Sequence, residues 1–265
     1  MNTKAPLQNI AKLKLAAGEL VLCLSIRQMR TVESAMITQA CGFDVIIIDQ
    51  EHAPISRELS SAICVAALGV GLTPMVRIGS HSAHDIGAAL DGGALGVLVP
   101  HINNAVEAKA AVDHSKYAPI GHRSVAALGP VMRYQPPALA ESLKQQNDAI
   151  FVGLLIETPE GVDNAEEIAA IPGVDALIIG SVDLSVEFGE PGRFEDATMQ
   201  SAYAKVAAAC RKHTKQFAVA GGNREQQAKH IAMGARLMMG GMDVNYMINA
   251  ARSEVAAIRA LLPAK

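Results

Sequence analysis

The chain has 265 residues, half of them hydrophobic but only 3% aromatic, no Trp, and a formal net charge of -3. That length suits one large domain, and a near-neutral, slightly acidic chain without a basic block excludes nucleic-acid binding by charge. No apolar run approaches the roughly 20 residues needed to span a bilayer, so no membrane contact is expected.

In chain order, the lysines up to Lys14 are not followed by an apolar segment, so no secretory signal is expected. Short apolar runs then alternate with amphipathic stretches. Strands are predicted at 20–25, 45–49, 73–77, 96–99, 151–156, 176–180, 217–220 and 237–239. The helices predicted to follow them cover 31–40, 57–67, 83–91, 105–113, 161–170, 199–213, 224–233 and 244–262. Eight strand–helix pairs predict an α/β fold, a single-domain (β/α)8 TIM barrel over 1–265, close to the usual barrel length of roughly 250. An open doubly wound sheet is the alternative, but no Gly-X-Gly-X-X-Gly follows the first strand. A core of Ala, Val, Ile, Leu and Met suits helices packed closely on a parallel sheet.

The connection over 115–149 is long and carries Gly121-His122-Arg123-Ser124 and Pro136-Pro137. Long loops in compact domains tend to be functional, which points to an active-site lid or a subunit contact. Cys23, Cys41, Cys64 and Cys210 lie in apolar segments with no Cys-X-X-Cys. They are expected to be buried free thiols in a reducing cytoplasm.

A barrel places its active site at the C-terminal ends of its strands. Strand two, Ile46-Ile47-Ile48, runs into Asp49 and then His52. Strand three ends in Arg77, strand five runs into Glu157, and strand six into Ser181-Val182-Asp183. Glu157 and Asp183 thus come from neighbouring strands, where two carboxylates repel unless a cation sits between them. Hard oxygen ligands suit Mg²⁺ or Mn²⁺, with Co²⁺ as a substitute. The plain alternative is that each acid caps the helix after it.

Arg77 has no local acid in the sequence, and its planar fork suits a carboxylate or a developing enolate oxygen. Its alternative role is an ion pair with Asp91 or Glu51. Ser181, Val182 and Asp183 open a helix, so their N–H groups offer a site for a substrate carboxylate. His52 is the candidate proton-transfer group, oriented by Asp49 or Asp91. His101, after strand four, is a weaker candidate, and His81, His84, His114 and His230 have no convergent partners in the sequence. A Schiff-base mechanism is disfavoured: the lysines lie in helices, loops or the N-terminal tail, and Lys215 stands at the start of its strand.

Six segments in this order resemble the HpcH/HpaI aldolase family of metal-dependent, pyruvate-forming aldolases. They are Asp49-Gln50-Glu51-His52-Ala53-Pro54, Val76-Arg77, Leu98-Val99-Pro100, Gly121-His122-Arg123, Ile156-Glu157-Thr158 and Gly180-Ser181-Val182-Asp183-Leu184. The resemblance implies that Glu157 and Asp183 hold the metal, that His52 with Asp49 serves acid–base chemistry, and that Arg77 contacts the oxo oxygen. It implies no organic cofactor, and a small-molecule 2-oxo acid and an aldehyde as substrates. It further implies a homo-oligomer, a hexamer, with Asp91, Arg123 and the long loop at subunit contacts. Leu155 departs from the family's frequent Gln, and Gln50, Ser124 and His101 are further departures. These bear on the aldehyde half of the substrate.

The expected reaction is reversible cleavage of a 4-hydroxy-2-oxo acid to pyruvate and an aldehyde. An acyl-CoA lyase of the citryl- or malyl-CoA type is the near alternative, without a basic cluster for its nucleotide. A phosphosugar isomerase or epimerase would use Gly221-Gly222 and Gly240-Gly241 as a phosphate site, though tight turns explain these glycines equally. A barrel kept only as a binding scaffold is the remaining alternative.

Overall fold

The computed structural model describes residues 7–262; the outermost positions of the domain expected over 1–265 lie outside the described residues. Eight strands form one closed, wholly parallel barrel: β1 (Val21–Ile26), β2 (Val45–Asp49), β3 (Thr73–Arg77), β4 (Gly96–Val99), β5 (Phe151–Ile156), β6 (Ala176–Gly180), β7 (Gln216–Ala220) and β8 (Leu237–Met242). Neighbours in the ring are neighbours in sequence, and β8 closes the ring by pairing with β1. The helices are α1 (Ile10–Ala16), α2 (Glu33–Ala40), α3 (Arg57–Gly69), α4 (Ala83–Asp91), α5 (Ala105–Ser115), α6 (Leu139–Ala149), α7 (Pro159–Asp163), α8 (Ala165–Ala170), α9 (Ser181–Glu187), α10 (Ala197–Lys212), α11 (Arg224–Ala232) and α12 (Asp243–Arg259).

The near-continuous apolar strands predict burial on both faces, and β2, β4, β5 and β6 are buried along their whole length. Cys23, Val45, Ile47, Met75, Leu98, Phe151, Leu155, Ala176, Ile178, Ala218 and Leu237 fill the barrel interior. Their alternates, among them Ile46, Ile48, Val76, Val97, Leu154 and Ile179, pack outward against the helices. This period of two fixes which residues rise into the mouth, because the interior row continues past the last strand residue.

The base of the barrel is closed by α1, which sequence reading missed. Asn9 caps α1 and donates through Nδ2 to Leu95 O at 3.1 Å and Ala149 O at 2.8 Å. The Ala11 N–H donates to Thr73 Oγ1 at 3.1 Å.

The long connection is shorter than expected. Helix α5 runs to Ser115 and α6 begins at Leu139, leaving 116–138 with one 3-10 turn at Pro130–Met132. Helix α6 carries no clear apolar stripe because its buried face is largely polar: Ser142, Gln146, Asn147 and Ala149. Asn147 exchanges hydrogen bonds with the backbone of Tyr117, at 2.8 and 3.0 Å. The helix expected over 161–170 is interrupted at Asn164, and Cys41 lies exposed just past the end of α2 rather than buried. The other three thiols are buried.

Helix α12 does not pack as the eighth cover of the barrel. Every residue from 245 to 262 is exposed, including Met247, Val255 and Ile258. Strand β8 is correspondingly half-covered from Met239 to Met242, and Leu22 on β1 is exposed.

Candidate active site

The interior row ends at the mouth with charge. Ile47 is followed two residues later by Asp49, Met75 by Arg77, and Leu155 by Glu157, while Ser25 is followed by Arg27. Asp49 and Arg77 are register partners across β2 and β3. Arg77 donates from Nε to Asp49 Oδ1 at 3.0 Å and from Nη2 to Oδ2 at 2.5 Å. Arg77 Nη1 lies 3.3 Å from Glu51 Oε2. The expectation that Arg77 lacks a local acid is therefore corrected: register brings Asp49 beside it, which separation along the chain does not reveal. Asp91, the other acid considered for Arg77, is elsewhere.

Asp49 is fully buried and accepts more than Arg77. Arg27 Nε donates to Oδ2 at 2.6 Å, and the backbone N–H groups of Glu51 and His52 donate to Oδ1, each at 3.2 Å. Burial pushes the Asp49 carboxyl up, but the Arg77 hydrogen bonds and charge, the His52 N–H and the Arg27 charge outweigh it and hold it below the usual range. Burial alone would lower the Arg77 guanidinium, and Asp49, Glu51 and Glu157 more than compensate.

His52 is placed differently from the expectation. Asp49 holds its backbone rather than its imidazole, and the ring is half-exposed with Nε2 3.8 Å from Glu51 Oε2. Within one chain, Asp91 does not orient it either. Asp91 ends α4, at the far end of the barrel from the mouth, where it accepts from Arg123 Nη2 at 2.5 Å. Arg123 is buried over the Tyr117 ring, 4.9 Å from its centroid, with Nε and Nη1 unpartnered. Gly121 makes this segment's close approach necessary, since a Cβ there would stand 2.6 Å from Lys116 O.

Glu157 is 3% exposed and lies over Gly180. A Cβ on Gly180 would stand 2.6 Å from Glu157 Cγ, so the absence of a side chain on β6 makes room for the carboxylate of β5. Burial pushes the Glu157 carboxyl up; the His101 N–H and ring oppose this, and the Glu51 and Asp183 charges reinforce it. Asp183 is in the first turn of α9, half-buried, one turn beyond Gly180. Ser181 is held by Tyr203, whose hydroxyl lies 3.1 Å from its Oγ, and Val182 is exposed.

Three residues at the mouth were missed or underrated. His101 stands in a left-handed conformation, φ 49°, with its N–H donating to Glu157 Oε2 at 2.9 Å. Its ring lies between two acids, Nδ1 3.4 Å from Glu157 Oε2 and Nε2 3.7 Å from Glu51 Oε1. Glu51 is the second, and its buried Oε2 makes no hydrogen bond but faces Arg77 Nη1 as an ion pair at 3.3 Å. Arg27 is the third; the interior periodicity of β1, extended two residues past Ser25, would have found it. Asp243, at the start of α12, fixes that turn by accepting from the N–H groups of Arg27, Gln28 and Met29 at 3.1, 2.8 and 2.7 Å.

Lys116 is buried, and burial lowers its ammonium to about 8. It donates to Asn147 O at 2.7 Å and Ile150 O at 2.5 Å, at the N-terminal end of β5. That is the wrong end of the barrel for a Schiff-base nucleophile. Gly221 and Gly222 turn the chain after β7, with φ of 82° and 97°, whereas Gly240 and Gly241 lie inside β8, where its pairing with β1 shifts register and Gly241 has φ of 149°. The Tyr246 hydroxyl donates to Gly240 O at 2.7 Å and its ring covers Gly241, which accounts for these glycines without a phosphate.

Residues 28–250 match the family described as HpcH/HpaI aldolase/citrate lyase. The chain belongs to this family. Among its curated relatives, a 4-hydroxy-4-methyl-2-oxoglutarate aldolase of Chaetomium globosum is 36% identical, over 92% of this chain and 93% of the relative. A 2-dehydro-3,6-dideoxy-6-sulfogluconate aldolase of Pseudomonas putida is 33% identical, over 82% and 85%. The crystal structure of an HpcH/HpaI aldolase from Desulfitobacterium hafniense superposes with a TM-score of 0.90 at 28% identity, covering 95% of this chain and 97% of that one. Like its relatives in this family, the chain is a carbon–carbon lyase on a TIM barrel.

Proposed function

We propose that this chain is a divalent-metal-dependent aldolase that cleaves 4-hydroxy-2-oxo acids to pyruvate and an aldehyde or other carbonyl compound, reversibly. The observation that carries the reading is the buried Glu157, disfavoured as an anion by burial and by the Glu51 and Asp183 charges, within charge range of a carboxylate-locked Arg77. Aldolase names among the relatives support it.

Among the described residues, no three or more His, Cys, Asp or Glu side chains gather as a ready ligand cage. Glu157 and Asp183 nevertheless fit a hard cation. Burial, reinforced by the Glu51 and Asp183 charges, disfavours Glu157 as an anion, a penalty that a cation at this carboxylate would relieve. A two-carboxylate site leaves the remaining positions to water and substrate oxygens, as Mg²⁺ and Mn²⁺ favour. When bound, such an ion supplies Lewis-acid polarisation of the 2-oxo acid.

The protein groups do the rest. The first-turn N–H groups of Ser181, Val182 and Asp183 receive the substrate carboxylate. Arg77 points its fork to the oxygen where negative charge develops, and Asp49 keeps that fork in place before substrate arrives. His52 accepts the C4 hydroxyl proton as the C3–C4 bond breaks, C4 becomes a carbonyl, and the electron pair passes to the pyruvate half. A proton returned to C3 completes pyruvate.

We also propose that the protein acts as a homo-oligomer. The bare apolar side chains of α12 and the half-covered β8 favour a second copy of the chain as cover. The hexamer, with Asp91 and Arg123 at a contact between copies, remains the arrangement that the resemblance implies.

The test is exchange of pyruvate methyl protons in D₂O, followed by NMR. Exchange that stops with EDTA and returns with Mg²⁺, Mn²⁺ or Co²⁺ is expected. Full exchange and cleavage by verified metal-free protein would overturn the metal role, and no exchange with any metal would overturn the aldolase reading.

A further inference from the structure

Arg27 is the group at the mouth that the mechanism leaves unused. It extends the interior row of β1, and its backbone is fixed by Asp243. Among the described residues its side chain bonds only to Asp49, through Nε, and it is partly exposed at 27%. Both Nη groups, the end-on fork that grips a carboxylate with two parallel hydrogen bonds, are left without a protein partner. Asp49 cannot satisfy them, because both its oxygens are already shared with Arg77 and two backbone N–H groups. Nearby, Arg30 donates to a neutral group, Pro54 O, at 2.9 Å, and no acid lies within ion-pair distance of it among the described residues.

The ring order gives this fork its place. β1 lies four strands from β5, so Arg27 faces Glu157 and Asp183 from the opposite side of the mouth. A substrate anchored by its 2-oxo acid end at β5 and β6 therefore extends its other end towards β1. Resting on the aldolase reading, we propose that Arg27 is a specificity residue that binds a carboxylate on the half released as the carbonyl product. The preferred substrates are then 4-hydroxy-2-oxo dicarboxylates, and the preferred acceptor in the reverse direction is a carbonyl compound that itself bears a carboxylate.

The test compares two substrates that differ only at C5. 4-Hydroxy-2-oxoglutarate, with a carboxylate there, yields pyruvate and glyoxylate; 4-hydroxy-2-oxopentanoate, with a methyl, yields pyruvate and acetaldehyde. Wild-type enzyme is expected to favour the dicarboxylate in kcat/KM by about 10- to 100-fold, the range for a hydrogen-bonded charge pair. Arg27→Met is expected to bring the ratio close to one, whatever it does to both rates together, and Arg27→Lys to keep part of the preference. A wild-type preference for the methyl substrate overturns the proposal without any variant. A ratio unchanged in Arg27→Met overturns it too, while the aldolase reading stands. Wild-type enzyme that cleaves neither substrate and exchanges no pyruvate protons overturns the aldolase reading, and this proposal with it.

Discussion

Asp49 and Arg77 face each other in register on adjacent strands, and both oxygens of the acid are bound to the guanidinium. The arginine is thereby oriented before substrate binds, which is the condition for a fixed charge to lower a barrier rather than merely attract an anion. Arg77→Lys keeps a charge and loses the fork. We expect kcat to fall about 10²- to 10³-fold with little change in KM, as when an oriented transition-state donor is removed. Steady-state kinetics decide it: an unchanged kcat with a raised KM would reduce Arg77 to ground-state binding.

Gly180 makes room for Glu157. Gly180→Ala should push the carboxylate off its position without touching either proposed ligand. Mn²⁺ affinity measured by calorimetry is expected to fall at least about tenfold, because a displaced ligand loses geometry rather than charge. Combining the change with Glu157→Asp, a shorter acid, should cost less than the sum of the two single changes, as for residues in contact. Strict additivity would show that the methyl group does not act through Glu157.

His52→Ala removes an imidazole but keeps the N–H that holds Asp49. Aldol cleavage is expected to fall about 10²- to 10⁴-fold, as on removal of a general acid–base group. Oxaloacetate decarboxylation has no hydroxyl proton to remove and should fall far less. Equal losses in the two reactions would assign His52 to support of the enolate. No loss in either would transfer the proton role to another group, with His101, whose ring lies between Glu51 and Glu157, the next to test.

Lys116 gives a pH signature of stability. Burial lowers its ammonium to about 8, whereas in the unfolded chain it titrates near 10.4. Between about pH 8 and 10.4 the unfolded state holds more protons at this group, so its contribution to stability rises with pH across that window. Below about pH 8 both states are charged and the cost of burying the charge is constant. Lys116→Met is expected to be less stable, since it leaves Asn147 O and Ile150 O without their donor. Its urea-denaturation free energy should lack the rise with pH that the wild type shows over this window. Parallel pH profiles would place the neutral form elsewhere.

The barrel was legible because each strand is a bounded apolar run, and five of the eight, such as Val45–Asp49 and Phe151–Ile156, begin and end where periodicity puts them. Helix α6 was not, because its buried face is built from Ser142, Gln146 and Asn147, which satisfy backbone groups rather than exclude water. In the site, Asp49, Arg77, Glu157 and Asp183 could be read from strand ends alone. What could not be read was pairing across strands. The Asp49–Arg77 contact depends on register, and the positions of Glu51 and His101 depend on loop conformations, one of them left-handed. Arg27 and Asp243 are far apart in sequence and meet because β8 closes against β1.

Helix α12 gives the barrel seam a further property. The seam between β1 and β8 is where the ring closes, and Asp243 at the head of α12 anchors the Arg27 turn. A helix that leaves this seam half-covered puts the rest of the cover of the site's own scaffold on a neighbouring molecule in the proposed assembly. Folding and association are then linked by mass action, so the melting temperature should climb with protein concentration. Dilution would loosen the β1 side of the mouth before it disturbed the carboxylates on β5 and β6.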